Sequence, residues 1–429
     1  MSDGHEEDLI KQAQARCEGM SYSEMLDLDT RPVPEFLREE SSPALGSEPL
    51  AAERYTSPDF FAEEKTKMWP YVWQFAAREE ELPEAGDHVV YENAGKTFLL
   101  IRQEDGSIRG FYNVCLHRGR KLRTESGHAA ELECPFHGFT WNNDGSIKRI
   151  PCRWDFEHLS DAQMTLPEVR IDRWAGFVML SEDKDIAPFR EWIGPDISHY
   201  ERWKLEDCYT GAWIGKVIPA NWKAVAEAFM EAYHAVITHP QILPFTGDAN
   251  TRYDLYGDHM NRAITPSASL SPHLSDTLGQ DYVLKGLQEF ASSGSDDGSS
   301  DARAKGKVKA GDRFTGTDAA EIDKADPVLA RKVVADANRD AFAAMSGLDH
   351  SQFSDTEMVD NFTYNIFPNF APWGGFIPNI VYRWRPWHDQ DHCLMEVRIL
   401  MRGKPGETPP VPEMHLIGDG EAFTSAAHL

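Results

Sequence analysis

Residues 115–137 read CLHRGRKLRTESGHAAELECPFH, a Cys-x-His pair and a Cys-x-x-His pair separated by sixteen residues. Two thiolates and two imidazoles, one of each per short motif, suit an iron–sulfur cluster of mixed ligation. Both cysteines then hold one iron and both histidines the other. Four such side chains also satisfy tetrahedral zinc, but the usual zinc spacings pair Cys with Cys and His with His. The alternation in Cys115, His117, Cys134 and His137 favours the cluster, whose chemistry is the carriage of single electrons.

The rest of the chain sets bounds on what those electrons serve. Its 429 residues allow about two or three domains, and a hydrophobic content of 41% supplies a sizeable core. Seventy acidic against 43 basic residues leave a formal charge of -27, which speaks against nucleic acid or an anionic membrane as the main partner. Six cysteines in so long a chain make no disulfide framework, and Cys17, Cys152, Cys208 and Cys393 have no paired spacing. The acidic start MSDGHEEDLI lacks the basic and apolar regions of a signal peptide, and no stretch reaches the ~18 apolar residues of a membrane span. A soluble cytoplasmic protein is expected.

Residues 1–55 are polar, with a helical pattern over Glu7 to Met25 and a Pro-rich passage at Pro32, Pro34 and Pro43. A short helix, FAEEKTKMW, then leads into DHVVYENAG, KTFLLIRQ, IRGFYNVC and ELECPFHGFTW, which read as a small antiparallel β domain over 56–185 with the ligand pairs at loop tips. Residues 186–429 mix helix and strand, giving an α+β chain. Asn221 to His239 (NWKAVAEAFMEAYHAVITH) reads as one helix, capped by Asn221 and stopped by Pro240. An insertion of about 285–345 holds the low-complexity run Ser292 to Asp301 and an Ala-rich helical stretch from Ala319 to Met345. Strands follow at Asn361–Phe370, Ile377–Trp387 and Cys393–Arg402. In the last, Met395, Val397, Ile399 and Met401 form the expected buried face and Glu396, Arg398 and Arg402 the polar one. From Gly403 the chain reads as loop.

A second constellation lies on the Asn221–His239 segment. Glu227, Glu231 and His234 fall at i, i+4 and i+7, on one face of an undistorted helix, whereas His239 needs a wider turn or a helix end to join them. Alone, such a set reads as a solvated polar face. Beside an electron-carrying cluster, two histidines and a carboxylate with open positions read as the triad of oxygen-activating non-haem Fe(II) enzymes.

Both motifs carry a family resemblance. C-x-H, a spacer and C-x-x-H resemble the Rieske [2Fe-2S] proteins. Arg120, Lys121 and Phe136 stand where respiratory members add loop cysteines, so the oxygenase branch is the closer likeness. NWKAVAEAFMEAYHAVITH resembles the corresponding helix of Rieske non-haem iron oxygenases, of which aromatic-ring-hydroxylating dioxygenase α subunits are the best-known group, and the likeness runs from Tyr55 to Arg402.

The resemblance implies a small antiparallel β Rieske domain, and a catalytic domain with helices packed on an antiparallel sheet in the helix-grip manner. It implies a [2Fe-2S] cluster on Cys115, His117, Cys134 and His137, and a mononuclear Fe(II) on His234 and His239. Glu231 bridges the two centres across a subunit boundary, and Asn221, Trp222, Lys223 and Glu227 support it. Glu at position 231, where the aromatic branch has Asp, resembles the branch acting on quaternary ammonium compounds. The implied partners are a ferredoxin or flavin reductase, O2 and a small organic, aromatic substrate, in a homotrimer or α3β3 assembly. Phe229, Met230, Tyr233, Phe362, Tyr364, Phe376 and Trp384 are the expected pocket walls.

The family's third iron ligand is a carboxylate on a C-terminal helix. The 27 residues after Arg402 hold one Asp, Asp419, in a Gly-rich context, so the ligand is left unassigned and a shortened C-terminus is expected. A Rieske electron-transfer protein lacking a competent mononuclear site is the alternative.

Overall fold

Alternating apolar residues in 74–181 fold as ten strands: β1 (Gln74–Arg78), β2 (Asp87–Asn93), β3 (Lys96–Arg102), β4 (Ile108–Tyr112), β5 (Gly127–His128), β6 (Leu132–Glu133), β7 (Thr140–Trp141), β8 (Ile147–Arg149), β9 (Glu168–Trp174) and β10 (Phe177–Ser181). Seven form an antiparallel sheet in the order β1-β10-β9-β4-β3-β2-β5, and β6-β7-β8 form a second, smaller one. The β2–β3 hairpin turns at Ala94 and Gly95, both at positive φ (51° and 82°), the twist that a two-residue hairpin loop requires. In this computed structural model the described residues are 20–41, 46, 48–274, 282–293, 327–376, 379–403 and 408–418. Most of the expected Glu7–Met25 helix, the low-complexity run from 294 onward, Cys17 and Asp419 lie outside them; the described part of the first shows a helix at Tyr22–Leu26.

The second half carries an eight-stranded sheet: β11 (Cys208–Ile218), β12 (Arg252–Tyr256), β13 (Met260–Thr265), β14 (Asn361–Ile366), β15 (Phe370–Pro372), β16 (Ile380–Pro386), β17 (Cys393–Arg402) and β18 (His415–Ile417). Their order is β12-β13-β14-β15-β16-β17-β11-β18, antiparallel apart from β18, which runs parallel to β11 at the edge. A three-residue edge strand is too short to show a period, which is why this stretch read as loop. The Ala-rich stretch forms the helix Pro327–Ser346. Its Arg331 is buried against Asp360 at 2.6 Å.

β17 is buried on both faces rather than one: Val397 is buried, Met395 and Ile399 pack against the same cluster, and the expected polar face is buried as well. Glu396 and Arg398 are each 1% exposed, whereas Met401 is 44% exposed. The polar face is buried because its charges find partners in the first domain and on β16. Glu396 accepts from Arg383 at 2.5 Å and Arg385 at 2.6 Å. Arg398 pairs with Glu81 at 2.8 Å, and Arg383 donates to the Ala76 carbonyl of β1 at 2.6 Å. Buried charges persist where they are paired and hydrogen-bonded in this way, and here they bind one sheet to the other.

Candidate metal centres

The two ligand loops are built alike. In the first, Cys115 N–H donates to Arg120 O at 2.8 Å and Gly119 N–H donates to Cys115 O at 2.9 Å. In the second, Cys134 N–H donates to Phe139 O at 2.8 Å and Gly138 N–H to Cys134 O at 3.0 Å. Gly119 and Gly138, each four residues after its cysteine, take left-handed φ of 74° and 71°. A left-handed residue at that point folds each loop back over its own cysteine at no steric cost to glycine.

The loops converge. Cys115 and Cys134 are buried, and burial first, then the neighbouring Cys134, push the Cys115 thiol up. The rings of His117 and His137 lie 4.7 Å apart, inclined at 69°. His117 stacks on Phe139 at 4.7 Å, which fixes its plane. Its Nδ1 is buried with no hydrogen-bond partner, although buried ring nitrogens normally have one. A sealed thiol pair, a facing imidazole pair and an orphaned ring nitrogen fit a binuclear cluster with two protein ligands per iron.

The second site departs from the continuous helix expected. The helix Trp222–Glu227 ends early, and a four-residue helix, Ala235–Thr238, follows it. Asn221 caps the first as expected, accepting from Lys223 N–H at 3.0 Å. Through the break the backbone donors go elsewhere: Phe229 and Met230 N–H bond the carbonyls three residues back at 3.0 Å, Ala232 N–H donates to the Tyr253 hydroxyl at 2.9 Å, and the Glu231 carboxylate takes the His234 N–H at 3.1 Å. Glu227, the last residue of the first helix, accepts from the Tyr55 hydroxyl at 2.9 Å.

The break brings His234 and His239 together, with ring centroids 5.2 Å apart. Glu231 Oε1 lies 2.5 Å from His234 Nδ1. With its Nδ1 proton held by that carboxylate, His234 presents the Nε2 lone pair outward, the arrangement by which an outer carboxylate orients a metal-ligating imidazole. Among the described residues no third His, Cys, Asp or Glu joins a single-metal group. The described residues thus bring together two imidazoles and one carboxylate bound to the first of them.

Of the expected pocket walls, Met230 and Trp384 line a cavity of about 510 Å³ beside the Trp222–Glu227 helix. Phe229 packs on Tyr382 and Trp384. Phe362, Tyr364 and Phe376 belong instead to the main hydrophobic core, and Tyr233 is 88% exposed. Sequence reasoning missed Asn261 and Asn365 in the same cavity wall, since two polar residues a hundred positions apart carry no joint signal until the strands pair.

A model of the ring-hydroxylating α-subunit catalytic domain matches residues 195–415, more than half of the chain, and a Rieske [2Fe-2S] domain model matches residues 72–160. The chain belongs to the ring-hydroxylating α-subunit family. Members of this family carry the Rieske [2Fe-2S] cluster and a mononuclear iron. Among relatives, the chain is 32% identical over 198 residues to the large oxygenase component of the naphthalene 1,2-dioxygenase system of Pseudomonas putida, covering 43% of each chain. It is 29% identical over 194 residues to the carnitine monooxygenase oxygenase subunit of Escherichia coli K12, covering 44% of this chain and 52% of that one. The chain spans about half the length of the curated relatives it matches.

Among solved structures, a quaternary ammonium Rieske monooxygenase aligns with TM-score 0.55 and 19% identity, over 82% of this chain and 75% of the other. Naphthalene 1,2-dioxygenase with indole bound in the active site aligns with TM-score 0.53 and 20% identity, over 81% and 70%. These likenesses establish the fold. Among the described residues no helix is long and apolar enough to cross a membrane.

Proposed function

We propose that this chain is the oxygenase component of a Rieske-type system that hydroxylates a small organic substrate, with an electron-carrying unit over 56–185 and an oxygen-activating unit over 186–429, working in the cytoplasm. The observation that carries this reading is the paired construction of the two sites: a two-Cys, two-His loop pair upstream, and two facing histidines downstream with Glu231 bound to one of them.

When bound, the cluster on Cys115, His117, Cys134 and His137 would supply single electrons, and an iron on His234 and His239 would supply O2 activation. The protein's part is orientation and access. Glu231 holds the Nδ1 proton of His234 and fixes its ring, and Phe139 holds the plane of His117. The electron donor, a ferredoxin or flavin reductase, finds a basic rim in an otherwise acidic chain: residues 115–123 carry Arg118, Arg120, Lys121 and Arg123 and no acidic residue.

Each unit also has exposed apolar side chains, Trp154 at 72% on the turn Arg153–Asp155 of the first, and Tyr233 at 88% and Ile237 at 85% beside the histidine pair of the second. Contact between the Trp154 turn of one copy and the His234 segment of the next would cover both patches and leave the basic rim free. This supports a homotrimer or α3β3 assembly, in which Glu231 bridges the centres. A second reading, a monooxygenase of the quaternary-ammonium branch, is favoured by Glu rather than Asp at position 231.

The test is anaerobic reconstitution with iron and sulfide. Expected are a Rieske absorption and electron-resonance signature, about three irons per chain, and O2 uptake that needs both a donor and a substrate. A Rieske signature with only the two cluster irons and no O2 uptake would reduce the chain to an electron carrier.

A further inference from the structure

The cavity of about 510 Å³ lies between the helix Pro58–Glu63 with the turn that follows it and the helix Trp222–Glu227. That is within the range of about 300–1,000 Å³ usual for small-molecule sites. Trp222, Met230, Met260, Ile366, Phe370 and Trp384 give it a mainly apolar wall. Several of its charged groups are paired within the protein: Glu64 holds Lys223 at 2.6 Å, Glu63 holds Lys67 at 3.2 Å and Glu227 holds the Tyr55 hydroxyl. Arg54 and Asp258 also line it.

Set into this wall is a pair of carboxamides. The register of β13 against β14 places Asn261 opposite Asn365, and Asn365 Nδ2 donates to Asn261 Oδ1 at 3.1 Å. Asn365 is 3% exposed, and its own Oδ1 accepts no hydrogen bond. Asn is a poor strand former, and a buried amide oxygen without a donor is destabilising and rare in native proteins. A Leu or Val would pack the same strand position without that cost. Trp384 Nε1, in the same wall, is a buried donor that also lacks a partner. His259 Nδ1 is a third buried atom of this wall without a partner. Of the three, the Asn365 oxygen can only accept, so it calls for a ligand that donates a hydrogen bond.

We infer that Asn365 is a specificity-determining residue of this cavity, accepting a hydrogen bond from a ligand that carries a hydroxyl or N–H group on a flat apolar body. The inference rests on the oxygenase reading only in naming that ligand as the substrate class; the binding itself needs neither metal.

The test compares two probes of nearly equal shape, 2-naphthol and 2-fluoronaphthalene, by equilibrium dialysis against the full chain. The expected result is a preference of about tenfold for 2-naphthol, the scale of one net hydrogen bond. In Asn365→Leu the two affinities converge to within about twofold, through loss of 2-naphthol binding. Asn365→Asp, which keeps an acceptor oxygen, retains the preference. Circular dichroism and the cluster spectrum are recorded on the same samples. Equal binding of both probes by the unaltered chain, binding of neither, or a preference that survives in a folded Asn365→Leu overturns the inference. A preference without a Rieske spectrum would sink the oxygenase reading and leave Asn365 standing. A Rieske spectrum without a preference would do the reverse.

Discussion

The carboxylate of Glu231 binds His234 twice, Oε1 lying 2.5 Å from the ring Nδ1 and Oε2 accepting the backbone N–H at 3.1 Å. One side chain thus both takes a backbone N–H just ahead of the helix Ala235–Thr238 and holds an imidazole that faces His239. Glu231→Gln keeps the size but offers one acceptor in place of two charged ones. Losing such an outer partner typically lowers metal affinity or activity about 10–100-fold. We therefore expect Glu231→Gln to retain the cluster spectrum while weakening iron binding at the second site or turnover by that factor. Iron titration followed by an O2 analogue measures it, and unchanged values would remove the orienting role.

Gly119 and Gly138 hold equivalent left-handed positions in the two cluster loops. A Cβ at Gly119 would meet nothing within 4 Å, so Gly119→Ala has a purely conformational penalty, of about 1–2 kcal/mol. Asn tolerates this region better than other side chains, so Gly119→Asn is expected to cost less. The half-life of the cluster absorption under mild denaturant should rank Gly above Asn above Ala. Equal half-lives would mean that the loop does not depend on this dihedral.

The pair of matching Cys/His loops was legible because each motif is local: four residues from cysteine to glycine in each loop, with the histidine between them. The His234 segment was half legible. Helical period places Glu227 and Glu231 on one face, but period cannot register that a carboxylate three residues upstream competes for the His234 N–H. The polar face of β17 was read as solvent-facing because binary patterning assigns charge to solvent, whereas Arg398 and Glu396 are neutralised by Glu81, Arg383 and Arg385 from elsewhere in the chain. Asn365 became visible only once strand pairing set it beside Asn261 in a cavity wall.

The β16–β17 charge cluster makes a prediction about stability. Burial alone would raise the Glu396 carboxyl, but the guanidinium groups of Arg383 and Arg385 hold it at about 2, below its ordinary value of 4.5. A carboxyl depressed on folding contributes stability that is present above 4.5 and is lost as pH falls toward 2. Glu396→Ala leaves two buried arginines without their carboxylate and should destabilise by about 3–5 kcal/mol. Glu168→Ala, which breaks an exposed pair with Arg109, should change stability by less than about 1 kcal/mol. Urea unfolding at neutral pH compares the two. Similar losses for both variants would show that the buried cluster does not hold the sheets together.

The basic rim of the first cluster loop makes a kinetic prediction. Arg118 and Arg120 are exposed, and Arg118 lies over the Phe136 ring at 6.0 Å, between the two ligand loops. In a chain of net charge -27, such a patch would guide an acidic electron donor toward the cluster and repel it elsewhere. Charges at the rim of an interface act mainly on the association rate and its salt dependence. The double variant Arg118→Ala/Arg120→Ala should slow cluster reduction by an acidic one-electron donor about tenfold at low ionic strength, with a flatter dependence on salt. Stopped-flow absorption at the cluster band reads both quantities, and the unreduced spectrum should not move. An unchanged rate at low salt would place donor docking on another face of the chain.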